Sequence, residues 1–164
     1  MTELDLIRRL FEYSDWSNAR LIEGAAPVND GDLDRPMDIG PGTLRRTLLH
    51  IYSGESVWLA RFKGESPSWP SESDLVKVKD LGDRLIASAK AREEFLQSLA
   101  PTDLDRVQTY RDSKGSLFKA TLRDMLLQGI LHSKHHQAQA VNILRRLGAA
   151  WPELDYMYRV REGA

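Results

Sequence analysis

Apolar residues recur along this chain at helical spacing over four long stretches. In the first, Leu6, Leu10, Tyr13, Ser17 and Leu21 form a stripe, while Arg8, Arg9, Glu12 and Asp15 fall mostly on other faces. Thr2 followed by Asp5 reads as a capping box and Gly24 as a C-terminal stop, so the pattern predicts a helix over residues 3–24. Residues 27–41 are rich in Pro, Gly and Asp. They make a connector too long for a simple helix hairpin, one expected to cross over the end of a bundle. The second helix is capped by Thr43, just after Gly40-Pro41-Gly42, and runs to about Lys63, before Gly64 and Pro67; Leu44, Leu48, Ile51, Leu59 and Phe62 supply its apolar surface.

Residues 64–73 read as loop. Ser73 begins a third helix with Asp74 in its first turn, a buried stripe of Val78, Leu81, Leu85, Ala89, Leu96 and Leu99, and an end near Ala100. Residues 105–118 change character: Val107, Thr109 and Tyr110 favour extended structure and Asp112-Ser113-Lys114-Gly115 signals a turn, which suggests a short irregular hairpin. The last helix runs from about Thr121 to Leu147, stopped by Gly148, and the tail LDYMYRV packs on the bundle as a strand-like or short helical segment. These elements predict an all-α fold, a four-helix bundle in a single domain over residues 1–164. Its first crossover loop is long, and a short irregular or hairpin segment precedes the last helix.

The 164 residues suit one core, and the near balance of Lys+Arg 23 against Asp+Glu 24 gives no reason to expect nucleic acid or an anionic membrane as partner. There is no cysteine, which excludes disulfides, thiolate metal sites and a cysteine nucleophile. The acidic N-terminus lacks the apolar core of a signal peptide and no apolar run spans a membrane, so the expected location is cytoplasmic.

Histidine changes the picture. His132, His135 and His136 stand in the last helix and His50 in the second; there are no others. On a helical wheel His132 and His136 lie about 40° apart on a stripe with Met125, Gln139 and Ile143, whereas Lys134, Gln137, Ala138, Asn142 and Arg145 point elsewhere. The i,i+4 spacing lets both imidazoles reach one ion. His50 on a facing helix offers a third ligand, and Gly54, one turn later, leaves room for an ion with open coordination positions. An all-imidazole set suits zinc, nickel or iron. His135 is turned aside into a helix seam; Gln139 is placed to support a ligand histidine or a bound water.

Against this stands the plainer reading that the histidines are hydrogen-bonded core residues. A pair at i,i+4 is more often structural than ligating; confinement of all four to two helices shifts the balance toward metal. Trp16 and Trp58 read as core, Tyr13 as a packed residue that could reach the cavity, Glu55 as off the His50 direction, and Arg61 as an ion-paired residue near the bundle end.

The block HSKHHQAQAVNILRRLG, together with HIYSGESVWLARFKG, YSDWSNARLI and PELDYMYRV, resembles the DinB/YfiT-like family of metal-dependent enzymes over the whole chain. The resemblance implies a four-helix bundle holding a divalent ion on three histidines, which map to His50, His132 and His136. It also implies a homodimer and, from several relatives, thiol-dependent transfer or isomerisation with a low-molecular-weight thiol as cosubstrate. Gln137 and Ala138 stand where the family usually has arginine and glycine. The expected function is that of a metal-dependent hydrolase or thiol transferase acting on a small-molecule substrate. The alternative is a non-catalytic, stress-related metal-binding dimer.

Overall fold

The computed structural model describes residues 1–71 and 75–163. Four long helices make the body: α1 Glu3–Ala25, α3 Leu44–Phe62, α4 Val78–Gln97 and α5 Leu122–Arg146. A short helix, α2 Asp30–Leu33, breaks the first connector, and a C-terminal helix, α6 Tyr156–Glu162, closes the chain. Between α4 and α5 a 3-10 turn, Pro101–Asp105, leads into an antiparallel hairpin of β1 Val107–Arg111 and β2 Leu117–Thr121. No described helix is long and apolar enough to cross a membrane.

Each of α1, α3 and α5 starts where a threonine can cap it. Thr2, Thr43 and Thr121 accept from the backbone amides of Asp5, Arg46 and Asp124, and Thr2–Asp5 forms the reciprocal capping box. Helix α5 ends before Gly148 at φ 67°, a left-handed position that suits glycine. Helix α4 starts later than the sequence suggests. Ser73 and Asp74 lie outside the described residues, and Leu75 to Lys77 are not helical. Lys77 makes no side-chain cap bond, so no local signal marks that boundary.

Helix α1 packs on α4 and α5, and α3 packs on the same two, most extensively on α5. Thus α1 and α3 are diagonal partners, as are α4 and α5. The two connectors that join diagonal helices hold the extra elements, α2 in one and the hairpin in the other. Crossing a bundle end takes more chain than joining neighbours.

The core has two apolar clusters. One gathers Leu21, Leu44, Leu48, Leu81, Ile143 and Leu144; the other Leu4, Ile7, Phe11, Phe62, Leu96 and Leu126. Between them lies a buried polar layer built from all four helices. Glu55 accepts from Asn18 at 2.7 Å and from Arg92 at 2.9 Å, Arg92 also pairs with Asp15, and Gln137 donates to Asn18 at 2.8 Å and to Ser14 at 3.1 Å.

This layer corrects several expectations. Gln137, placed on an outer face by the wheel, is fully buried, and the α1 face toward the core is Leu4-Ile7-Phe11-Ser14-Asn18-Leu21, leaving Leu6 44% exposed. On α4, Ala89 is half-buried while the buried stripe carries Arg92. Small and polar side chains look like surface in a sequence; here they are interior because each finds a partner.

Candidate metal centre

The α3–α5 contact sets the site. On α3, His50, Gly54, Trp58 and Arg61 follow one another at spacings of about one turn; on α5, antiparallel to it, His136, His132, Gln128 and Asp124 do the same. The two stripes share a seam on the outside of the polar layer. His50, His132 and His136 meet there, with one nitrogen of each within 4.8 Å of the others and all three half-buried. Ring centroids are 5.1 Å apart for His50–His132, 4.3 Å for His50–His136 and 4.6 Å for His132–His136.

The three histidines that the wheel set together on two helices do meet, but not in the direction expected. His132 and His136 do not point to the bundle axis; their neighbours Ser133 and Gln137 do. The role of Gly54 also differs. A Cβ there would lie 2.3 Å from His132 Cε1, so its missing side chain admits the His132 ring rather than an ion beside His50.

Gln139 stands where a supporting residue should. Its Oε1 lies 2.8 Å from His136 Nδ1, and its amide nitrogen 3.0 Å from His135 Nε2. With the amide oxygen as acceptor, His136 Nδ1 donates, which selects the tautomer that carries its lone pair on Nε2. The amide is held from above by the crossover loop. Gly40, at φ 49°, leaves no space for a Cβ, which would sit 2.1 Å from Gln139 Oε1. Nothing in the sequence pattern signals this contact except the Gly40-Pro41-Gly42 run itself.

Two other candidates are not at the centre. His135 is exposed on the solvent side of α5, not in a helix seam, and touches the trio through its ring contact with His136 at 4.9 Å. Tyr13 packs against Tyr156, donates its hydroxyl to the Leu154 carbonyl and accepts from Lys134; it anchors the tail. Trp16 and Trp58 are half-buried rather than core. Arg61 is buried, but among the described residues it meets the Arg111 carbonyl at 2.6 Å and the Trp58, Tyr110 and Trp69 rings instead of a carboxylate.

The electrostatics suit cation binding. Burial, reinforced by His136, His50 and His135, lowers the His132 pKa to about 4, so this imidazole is neutral at pH 7 and its lone pair is free of a proton. His132 Nδ1 is buried with no hydrogen-bond partner, the kind of unmet polar atom that coordination relieves. Three imidazoles converging from two rigid helices fit a divalent ion of the zinc, nickel or iron type.

The DinB family profile matches residues 1–162. Protein DinB of Bacillus subtilis (strain 168) is 18% identical over 160 residues, 93% of this chain and 92% of that protein. Among solved structures, YfiT from Bacillus subtilis, described as a probable metal-dependent hydrolase with an unusual four-helix bundle topology, superposes with a TM-score of 0.70 at 20% identity, covering 93% of this chain and 91% of that one. A DinB-like protein from Bacillus cereus ATCC 10987 gives 0.69 at 21% identity over 87% and 91% of the two chains. With the family pattern running the length of the chain and the bundle shared with these structures, the chain belongs to the DinB family.

Proposed function

We propose that this protein is a metal-dependent enzyme, a hydrolase or a thiol transferase, in which His50, His132 and His136 hold one divalent ion. The observation that carries this is the convergence of three imidazoles from two helices on one point of the α3–α5 seam. The metal-dependent activity ascribed to YfiT supports the same reading. A divalent ion held by three protein ligands supplies Lewis acidity and lowers the pKa of a water or thiol bound in its open positions.

The chain's own groups have defined parts. Gln139 orients His136, and Gly54 lets His132 approach α3. Glu55 takes no part in proton transfer, because Arg92 and Asn18 occupy its carboxylate inside the polar layer. With no cysteine in the chain, a thiol nucleophile has to arrive as a low-molecular-weight cosubstrate.

Metal analysis of protein purified without chelator tests the reading. A single zinc, nickel or iron ion per chain is expected, lost in His50→Ala, His132→Ala and His136→Ala. A screen of electrophiles with glutathione, bacillithiol or mycothiol, beside simple esters and amides, then separates transfer from hydrolysis. Protein that carries no stoichiometric metal and gains no thermal stability from added zinc or nickel refutes the proposal.

A further inference from the structure

The seam that carries the histidines does not end at them. Below His132 and Gly54 it opens into a cavity of about 480 Å³, lined by Trp58 and Arg61 of α3, Gln128 of α5, and Tyr110 and Phe118 of the hairpin. That volume falls in the range of small-molecule sites. Gln128 is one turn from His132 and Trp58 one turn from Gly54, so the cavity's near edge lies about 6 Å along the axis from the trio, and Arg61 about 16 Å from His50.

The walls are aromatic. Trp58 and Tyr110 ring centroids are 5.7 Å apart, and Tyr110 stacks on its cross-strand partner Phe118 at 5.9 Å. Arg61 is the exception among them. It is 94% buried, its guanidinium lies 4.6 Å over the Trp58 ring and 5.0 Å over the Tyr110 ring, and one amino group donates to the Arg111 carbonyl. Its Nε has no partner, and among the described residues no carboxylate pairs with it. Two aspartates share the lining. Asp112 accepts from the Lys114 and Ser116 amides at 2.9 and 2.8 Å, and Asp124 from the Thr121 hydroxyl at 2.6 Å, so both carboxylates already serve the turn and the helix cap. Asp112 attracts the Arg61 guanidinium without pairing with it, and a buried guanidinium that lacks a paired carboxylate is costly unless an anion completes it.

We infer that this cavity is the recognition pocket for the substrate of the neighbouring histidine centre, and that it selects a flat apolar group carrying a carboxylate, which Arg61 binds between Trp58, Tyr110 and Phe118. The inference rests on the proposed function for the word substrate, but the pocket's preference is a property of its own lining. It assigns Arg61 a specificity role, with the reacting end of the ligand reaching back along the seam toward the histidines.

The test uses 3-phenylpropionate and its neutral counterpart 3-phenylpropionamide as probes, titrated calorimetrically into the full-length protein, metal-loaded and chelator-treated. The acid is expected to bind in both states at least tenfold more tightly than the amide, matching the loss of one charge-assisted hydrogen bond. Arg61→Gln should erase that preference. Phe118→Ala, at an exposed strand position where folding is safe, should weaken both probes several-fold while keeping it. Equal binding of acid and amide by the unaltered protein, or no binding of either, overturns the inference; so does a preference that survives in folded Arg61→Gln. Failure of metal binding with the acid preference intact would remove the enzyme reading and leave the pocket. Normal metal binding without any preference would do the reverse.

Discussion

At Gly54, one methyl group decides whether α3 and α5 can bring their histidines together. A Cβ there would lie 2.6 Å from His132 Nδ1, nearer than unbonded atoms approach. Gly54→Ala should leave a folded bundle and displace the His132 ring, so metal stoichiometry falls while the circular dichroism spectrum is kept. Gln139→Leu removes the acceptor that orients His136 and should weaken metal affinity by about 10–100-fold in a competitive chelator titration. His132 also gives a pH dependence. Its folded pKa of about 4 lies below the ordinary value of 6.5, so in chelator-treated protein its contribution to stability is complete above pH 6.5 and is lost as pH falls through 4. Urea midpoints measured from pH 7.5 to 4 should drop, and His132→Asn should flatten that part of the slope. The residue types at the centre were open to sequence reasoning because histidine is rare here and confined to two helices. Their supports were less so: only the run of glycines hints that the loop at Gly40 presses on Gln139.

The helices show where pattern reading succeeds and where it fails. Boundaries of α1, α3 and α5 followed from threonine caps and a terminal glycine, all local signals. The start of α4 has no side-chain cap and was not legible. The buried faces were misjudged where the polar layer passes: Gln137 reads as outward, and Ser14, Asn18 and Arg92 fall outside the expected buried stripes, until their partners on other helices are known. Arg92 neutralises Glu55 and meets Asp15, whose pKa burial pushes up to about 6 even beside the guanidinium. Arg92→Ala would strand two carboxylates without their cation and should cost about 3–5 kcal/mol in urea unfolding at pH 7, far more than loss of a surface arginine. Arg92→Ala, Glu55→Gln double variants should recover part of it, because the uncompensated charge goes with the partner.

For the whole molecule, the diagonal order of the helices was beyond the sequence. Periodicity shows that a helix has a buried face but not which neighbour covers it. The connectors, long enough to cross a bundle end, carried the only trace. That order gives the histidine centre a thermodynamic reach well beyond its size. His50 and His132 are 82 positions apart in the chain, so an ion shared between them would act as a reversible staple that closes a very long loop. Loop closure is among the larger entropic costs of assembling α3 against α5, and a ligand that binds only the assembled state shifts unfolding by mass action. Saturating metal should therefore raise the melting temperature in proportion to the logarithm of free ion concentration and slow unfolding more than it speeds refolding. On that view the ion would serve as a checkpoint: a chain whose crossover connections have not settled could not hold it.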